Sequence, residues 1–332
     1  MVRMKESVLL PKDTLVSLYR LMLIIRAVEE SFINPILNKD ILCPVHLYSG
    51  EEAIAVGVCS SLNDNDKVFG THRSHGHFLA KGGSLDELVA EVYCKRQGAS
   101  GGFGGSMHLL DTARGFMGAV PIVGGTISLA LGAALASYIK GDNSVGVAFF
   151  GDGAAGEGVL YESINFASVH KLPLLFVCEN NSYSTHMNIR QIRNSTTIYE
   201  TAASFNITSI LEDGNDVLKV YEAANRAVRD CREGKGPVFL ECTTYRYRGH
   251  VGPDDNIQGV HTDIRPADEI EAWKRKDPLV RLESYLIDYG IALPDEIAEI
   301  KMKTEKKVHS AHEKARESAW PRKEEILNNV YM

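Results

Sequence analysis

The chain has 332 residues, 44% of them hydrophobic and 24% charged, with 29 Gly and 11 Pro. That is the make-up of a folded protein of about two domains or one large α/β domain, and it excludes disordered, collagenous and fibrous classes. The formal net charge of −7 argues against a nucleic-acid or anionic-membrane surface, which needs a basic excess to neutralise phosphates.

From Met1 to Pro11 there is no apolar run of signal-peptide length, and Glu6 argues against a transit peptide. No later apolar stretch reaches the ~18 residues of a membrane span, so a cytoplasmic protein is expected. Leu15, Leu18, Met22, Ile25 and Phe32 recur at three- and four-residue steps, which predicts an amphipathic helix starting near Asp13. From Cys43 to Lys140 the chain is rich in Gly and His, with short helical stretches at Ser84–Tyr93 and Ser128–Ile139. This reads as a loop-and-helix region built on close backbone approaches.

The apolar run Val145–Phe150, the turn Gly151-Asp152-Gly153, a helical stretch to about His170 and the run Leu174–Cys178 form a βαβ unit. A helix around Val217–Cys231 and a strand at Val238–Cys242 repeat the crossover. The fold class is therefore α/β, a parallel sheet with helices on both faces, with ligands gathered outside the carboxyl ends of the strands. Chemistry is expected after Phe150, after Cys178 and after Tyr245. Val251–Arg265 reads as a loop, and Pro266–Val330 as charged helices. The expected organisation is an N-terminal helical extension (1–40), an α/β domain (41–265) and a C-terminal helical extension packed on it (266–332).

Asp152 and Asn181 stand one crossover apart, at the tips of neighbouring strands. Two oxygen side chains there, with a backbone carbonyl, suit a hard divalent cation that completes its octahedron with phosphate oxygens and water. Gly153 allows close backbone approach, and the following helix N-terminus favours phosphate. The six cysteines are scattered without a CxxC pair, so they read as structural thiols of a reducing compartment.

The stretch GDGAAGEGVLYESINFASVHKLPLLFVCENNSY resembles the thiamine-diphosphate motif of the alpha subunit of the first, decarboxylating component of 2-oxoacid dehydrogenases. HLYSGEEAIAVG (His46–Gly57), THRSHGH (Thr71–His77), GGSMH (Gly104–His108) and TYRYRGH (Thr244–His250) agree with it in order, so the resemblance spans roughly residues 13–330. It implies the diphosphate-binding half of a thiamine-diphosphate-binding fold. By this resemblance, Asp152, Asn181 and the Tyr183 carbonyl bind Mg²⁺, and Gly151, Gly153 and Ala154 lie against the diphosphate. Arg73 and His250 hold the diphosphate oxygens beside His72, and Pro121 and Val123 meet the aminopyrimidine. His46 and His75 match positions near the reacting carbon, where with His250 they act on substrate, while His77, His170, His186, His261, His309 and His312 read as background imidazoles.

Three departures stand out: His72 where the family commonly has Tyr, Phe103 where it often has Lys, and a loop after His250 without the serine pattern phosphorylated in mitochondrial relatives. The resemblance also implies a separate beta subunit that supplies the activating glutamate in an alpha2-beta2 heterotetramer. The acyl group would pass to a lipoyl group on a second component. Pyruvate is the expected substrate; acetoin cleavage and biosynthetic acyl transfer or carbon–carbon bond formation are the alternatives. A zinc site from the histidines lacks a Cys or carboxylate at ligand spacing. A nucleotide-binding module on Gly101–Gly105 lacks the strand–helix setting.

Overall fold

A computed structural model describes residues 10–253 and 265–327. Its helices are α1 (Lys12–Ser31), α2 (Ile33–Leu37), α3 (Glu52–Cys59), α4 (His75–Ala80), α5 (Leu85–Val92), α6 (Gly125–Lys140), α7 (Gly158–His170), α8 (Ile189–Ile192), α9 (Tyr199–Ala203), α10 (Val217–Arg232), α11 (Ala267–Lys274), α12 (Pro278–Asp288) and α13 (Pro294–Glu317). Its strands are β1 (Lys67–Gly70), β2 (Phe116–Ala119), β3 (Gly146–Gly151), β4 (Leu174–Asn180), β5 (Tyr183–Ser184), β6 (Met187–Asn188), β7 (Thr208–Asp213) and β8 (Val238–Thr243). None of the helices is long and apolar enough to cross a membrane.

Six strands form one parallel sheet in the order β2-β1-β3-β4-β8-β7, and β5 and β6 make a separate antiparallel hairpin. β4 is buried along its whole length and β3 up to Phe150 because both sheet faces are covered, which is why they read as unbroken apolar runs. Their two-residue alternation splits the core. Val145, Val147, Phe149, Leu175, Val177 and Leu240 face the cluster that holds α1, α3, α10 and α13. Ala148, Phe150, Leu174, Phe176 and Phe239 face the cluster of α6, α7 and α9. Helices from both ends of the chain enter the first cluster, through Leu18, Met22 and Phe32 at one end and Leu282, Ile297 and Ala311 at the other.

The periodic segments appear where the sequence places them, but the region read as loops and helices also holds β1 and β2. Each is four residues long, too short for an apolar run to stand out. The edge strand β7, half-buried and ending in Glu212-Asp213, was equally unmarked. Residues 1–9, 254–264 and 328–332 lie outside the described residues, and with them His261, most of the Val251–Arg265 loop and the end of the Pro266–Val330 segment.

The chain leaves β1 for β2 on one side and returns to β3 on the other, so β1 and β3 flank a switch point where a crevice opens at the carboxyl edge. Helix α3 backs this edge by packing closely on α10. A Cβ on Gly57 would lie 2.7 Å from Val220 Cγ1 and 3.0 Å from the Tyr221 nitrogen. Gly57→Ala is expected to cost about 1–3 kcal/mol by overpacking, measurable as a lowered thermal midpoint.

Candidate functional site

The segments that follow β1, β3, β4 and β8 enclose a cavity at the switch point. Of the residues singled out in the sequence, His46, His72, Arg73, Pro121, Val123, Gly151, Asp152, Gly153, Ala154, Asn181, Tyr183 and His250 all line it. His75 does not.

One pole of the cavity is acidic. Asp152 is 1% exposed, its Oδ2 has no hydrogen-bond partner, and burial lifts its carboxyl to about 6. An ionised carboxylate left in that state is costly, and a cation beside it removes the cost. Asn181 faces the same pole: its Nδ2 donates to Glu51 Oε1 at 2.8 Å, which fixes the amide, while Oδ1 accepts from the Tyr183 nitrogen at 3.1 Å. The β5–β6 hairpin carrying Tyr183 closes onto the Asp152 loop because Gly153 has no side chain. A Cβ there would meet Ser184 Oγ at 2.5 Å. The donor set of carboxylate, amide oxygen and nearby carbonyl is the hard-oxygen chemistry that Mg²⁺ takes. A short 3-10 turn, Ala154–Gly156, stands between this loop and α7, so the long helix itself starts later than the sequence reading placed it.

The other pole is basic. Arg73, 6% exposed, donates from Nη1 to the Leu47 carbonyl at 2.6 Å and from Nη2 to the His250 carbonyl at 3.1 Å. Its Nε lies 3.8 Å from Glu51 Oε2. Arg246, absent from the sequence reading, donates to the Thr185 carbonyl at 3.2 Å and approaches His250 Nδ1 at 3.1 Å. Because Arg73 Nη2 also lies 3.3 Å from that nitrogen and guanidiniums only donate, Nδ1 must accept and the proton of neutral His250 sits on Nε2. A buried arginine pair across from a carboxylate suits a phosphate that shares the cation.

Between the poles, His46, His72 and His250 meet edge to face, with ring centroids 4.7 Å (His46–His72), 5.2 Å (His46–His250) and 5.4 Å (His72–His250) apart. Burial, reinforced by the neighbouring arginines, pushes His72 down to about 3, His250 to about 2 and His46 further below its ordinary value. All three are neutral at physiological pH, and His46 Nδ1 has no partner. Their ring nitrogens lie within 4.8 Å of one another, a grouping the sequence did not reveal. With Nδ1 of His250 accepting from arginine and Nε2 protonated, that ring has no lone pair left for a metal, and two guanidiniums repel a cation. Since these imidazoles must charge in acid, their stabilising contribution is complete above the unfolded value near 6.5 and is lost as pH falls toward their folded values. The raised Asp152 and Glu51 carboxyls act the other way over the same range, so the expected result is a difference: between about pH 7 and pH 5 the thermal midpoint of His72→Gln changes less unfavourably than that of the wild type.

The structure sets His75, expected near the reacting centre, behind the cavity wall rather than on it. It is fully buried at the start of α4, bonded through Nδ1 to Glu29 Oε1 at 2.9 Å and through Nε2 to Ser106 Oγ at 2.8 Å. Ser106 Oγ in turn accepts from the His46 backbone nitrogen at 3.4 Å. His75 thus stands behind His46. His77 is a core residue, hydrogen-bonded to Glu179 at 2.9 Å and stacked on Phe149, whereas His186, read as background, has its ring 6.3 Å from that of His250.

The sequence reading passed over Glu51, Arg246 and Glu179, all on the cavity wall. Glu51 follows the Gly50 turn, which comes after His46, and burial raises its carboxyl to about 7 against the pull of Arg73. The Gly101–Gly105 segment does not cradle a ligand. The carboxylate of Glu91 holds the amides of Ser100, Gly102, Gly104 and Gly105 at 2.7–2.9 Å, so they are not available to phosphate.

Residues 19–324 match the family model described as dehydrogenase E1 component. The alpha subunit of the acetoin:2,6-dichlorophenolindophenol oxidoreductase of Bacillus subtilis is 37% identical over 330 residues, covering 99% of this chain and 96% of that one. The corresponding subunit of Cupriavidus necator is 38% identical, covering 99% and 98%. The pyruvate dehydrogenase E1 component subunit alpha of Rhizobium meliloti is 40% identical over 283 residues, covering 85% and 80%.

Proposed function

From the premise that the chain belongs to the dehydrogenase E1 component family, we propose that it is the alpha subunit of a thiamine-diphosphate-dependent 2-oxoacid dehydrogenase, with pyruvate as substrate and a lipoyl group as acyl acceptor. The observation that carries this reading is the two-pole cavity, with an unpartnered buried Asp152 oxygen facing the Arg73–Arg246 pair. In this reading Asp152, the Asn181 side chain and the Tyr183 carbonyl hold Mg²⁺. Gly151, Gly153 and Ala154 give the diphosphate room, Arg73 and His250 bind its oxygens, and Pro121 and Val123 meet the aminopyrimidine. When bound, thiamine diphosphate supplies the carbanion chemistry of decarboxylation. The protein's part is positioning: Glu51 fixes the Asn181 amide, the arginines fix the His250 tautomer, and neutral His46 and His72 offer an N–H to a substrate oxygen or a lone pair to a substrate hydroxyl.

Ile122 and Val123, 71% and 51% exposed, form an apolar wall of the cavity open to solvent. That bare wall supports a partner that covers it, which we take to be a beta subunit supplying the activating glutamate within an alpha2-beta2 assembly. Residues 41–265 form the cofactor-binding domain in this reading, with 1–40 and 266–332 as helical extensions on it. The six free cysteines support a reducing, cytoplasmic setting.

Acetoin is the second substrate reading, favoured by the end-to-end match to two acetoin oxidoreductase alpha subunits. The test is thiamine-diphosphate-dependent reduction of an artificial electron acceptor by this chain co-purified with its beta partner, comparing pyruvate, branched-chain oxoacids and acetoin. Turnover with pyruvate supports the first reading and turnover with acetoin alone the second. No turnover with any of them, despite tight cofactor binding, rejects both in favour of biosynthetic acyl transfer.

A further inference from the structure

The glycine-rich loop between α5 and β2 is wound around a charge of its own. Glu91, near the end of α5, is fully buried and stands off the cavity wall. Its Oε2 accepts from the amides of Ser100 at 2.7 Å and Gly102 at 2.9 Å, and its Oε1 from those of Gly104 at 2.8 Å and Gly105 at 2.9 Å. Converging backbone N–H groups make the kind of concavity that binds a free anion, filled here by a side chain. The loop closes this tightly because Gly98 has no side chain: a Cβ there would collide with Glu91 Oε2. Gly102 turns in the left-handed region with φ 82°, and a Cβ on it would stand 2.8 Å from the Lys95 carbonyl.

The far end of this loop leads to the cavity. Gly105 opens the 3-10 turn Gly105–Met107 and packs on Cys43, where a Cβ would stand 3.1 Å from Cys43 Cβ. Cys43 in turn donates from Sγ to the Val92 carbonyl at 3.3 Å. Ser106 is 1% exposed; its Oγ accepts from the His46 nitrogen at 3.4 Å and meets His75 Nε2 at 2.8 Å. Met107 lines the cavity. The segment that ends in His46 is therefore held between the end of α5 and the loop, and one carboxylate gathers the loop.

We propose that Glu91 is a positioning residue for the reaction: its carboxylate fixes the 98–107 loop, and through Ser106 and Met107 the loop fixes His46 and that side of the cavity wall. The inference rests on the reading of His46 as a group that meets substrate. Hydrogen bonds from backbone amides to a carboxylate are about twice as strong as neutral ones, so four of them hold the loop more firmly than its own turns do. Glu91→Gln keeps the size of the side chain but sets an NH₂ group against two amide N–H groups. Half of the concavity then has donor facing donor, and those amides must move to find an acceptor.

The test uses the chain assembled with its beta partner. In Glu91→Gln, kcat falls by about tenfold, as for a reacting group moved by a fraction of an ångström, while affinity for thiamine diphosphate keeps its wild-type value because Asp152 and Arg73 stand on other segments. Glu91→Ala empties the concavity, and added formate restores kcat where formamide, of the same size but neutral, does not; the wild type responds to neither. Hydrogen exchange in Glu91→Gln rises in residues 98–105 and also in 44–47. A wild-type kcat in Glu91→Gln, rescue of Glu91→Ala by both additives or by neither, or faster exchange in 98–105 alone would each overturn the proposal. Where Glu91→Ala does not fold, Ser106→Ala takes its place: it breaks the link to His46 and must reproduce the kcat loss with 98–105 still protected, and a wild-type kcat there overturns the proposal. Should the wild-type assembly turn over none of the substrates, the functional reading fails, and the exchange measurement alone decides whether Glu91 holds the His46 segment.

Discussion

Asp152→Ala, assembled with the beta partner, is expected to lose Mg²⁺-dependent retention of thiamine diphosphate by on the order of 100-fold or more. The carboxylate is buried at the acidic pole with Oδ2 unpartnered, and the neighbouring Glu51 carboxyl is already engaged with Asn181 and faces Arg73. Removing Asp152 leaves an amide and a carbonyl, too little charge to strip water from a small divalent ion. The same substitution should not harm the chain without metal, since it deletes a desolvated group whose ionised form the fold disfavours. Calorimetric titration with the cofactor at fixed Mg²⁺ measures the first effect, and thermal melts in chelator measure the second. Unchanged cofactor affinity at equal Mg²⁺ would remove Asp152 from the site.

The acidic pole was legible in the sequence because its residues lie on the most periodic part of the chain. Strand β3, the Gly151-Asp152-Gly153 turn, α7 and β4 are contiguous, so one crossover fixes where Asp152 and Asn181 stand. The basic pole was legible in part. Arg73 was found through its motif, but its strand, β1, has only four residues and no periodic signature, so the reason for its position became visible only in the sheet order. Arg246 and Glu51 were missed because their roles depend on pairing across the fold: Arg246 with His250 and Thr185, Glu51 with Asn181 some 130 positions away. No local pattern encodes such pairings.

The histidines show that limit most sharply, since sequence alone treated His46 and His75 alike, and the structure separates them into two experiments. His46 lines the cavity with a neutral ring whose Nδ1 is unpartnered, so in the proposed reading His46→Ala removes a hydrogen-bonding group from the substrate side and leaves little behind it disturbed. Turnover of the assembled enzyme should fall by about 10²–10³-fold, the usual worth of a positioned hydrogen-bond donor, with the thermal midpoint and cofactor affinity nearly unchanged. His75→Ala acts differently. It strips the fully buried Glu29 of its Nδ1–H partner when Glu29 Oε2 already has none, leaving a carboxylate uncompensated in the core. It also frees Ser106, whose hydroxyl holds the His46 backbone. The expected signature is a large drop in thermal midpoint with a smaller loss in turnover, and a second change, Glu29→Gln, should recover stability by removing the stranded charge. If His75→Ala instead kept its stability and lost turnover as deeply as His46→Ala, His75 would belong at the reacting centre, and the order of these two rings behind the cavity wall would have to be reversed.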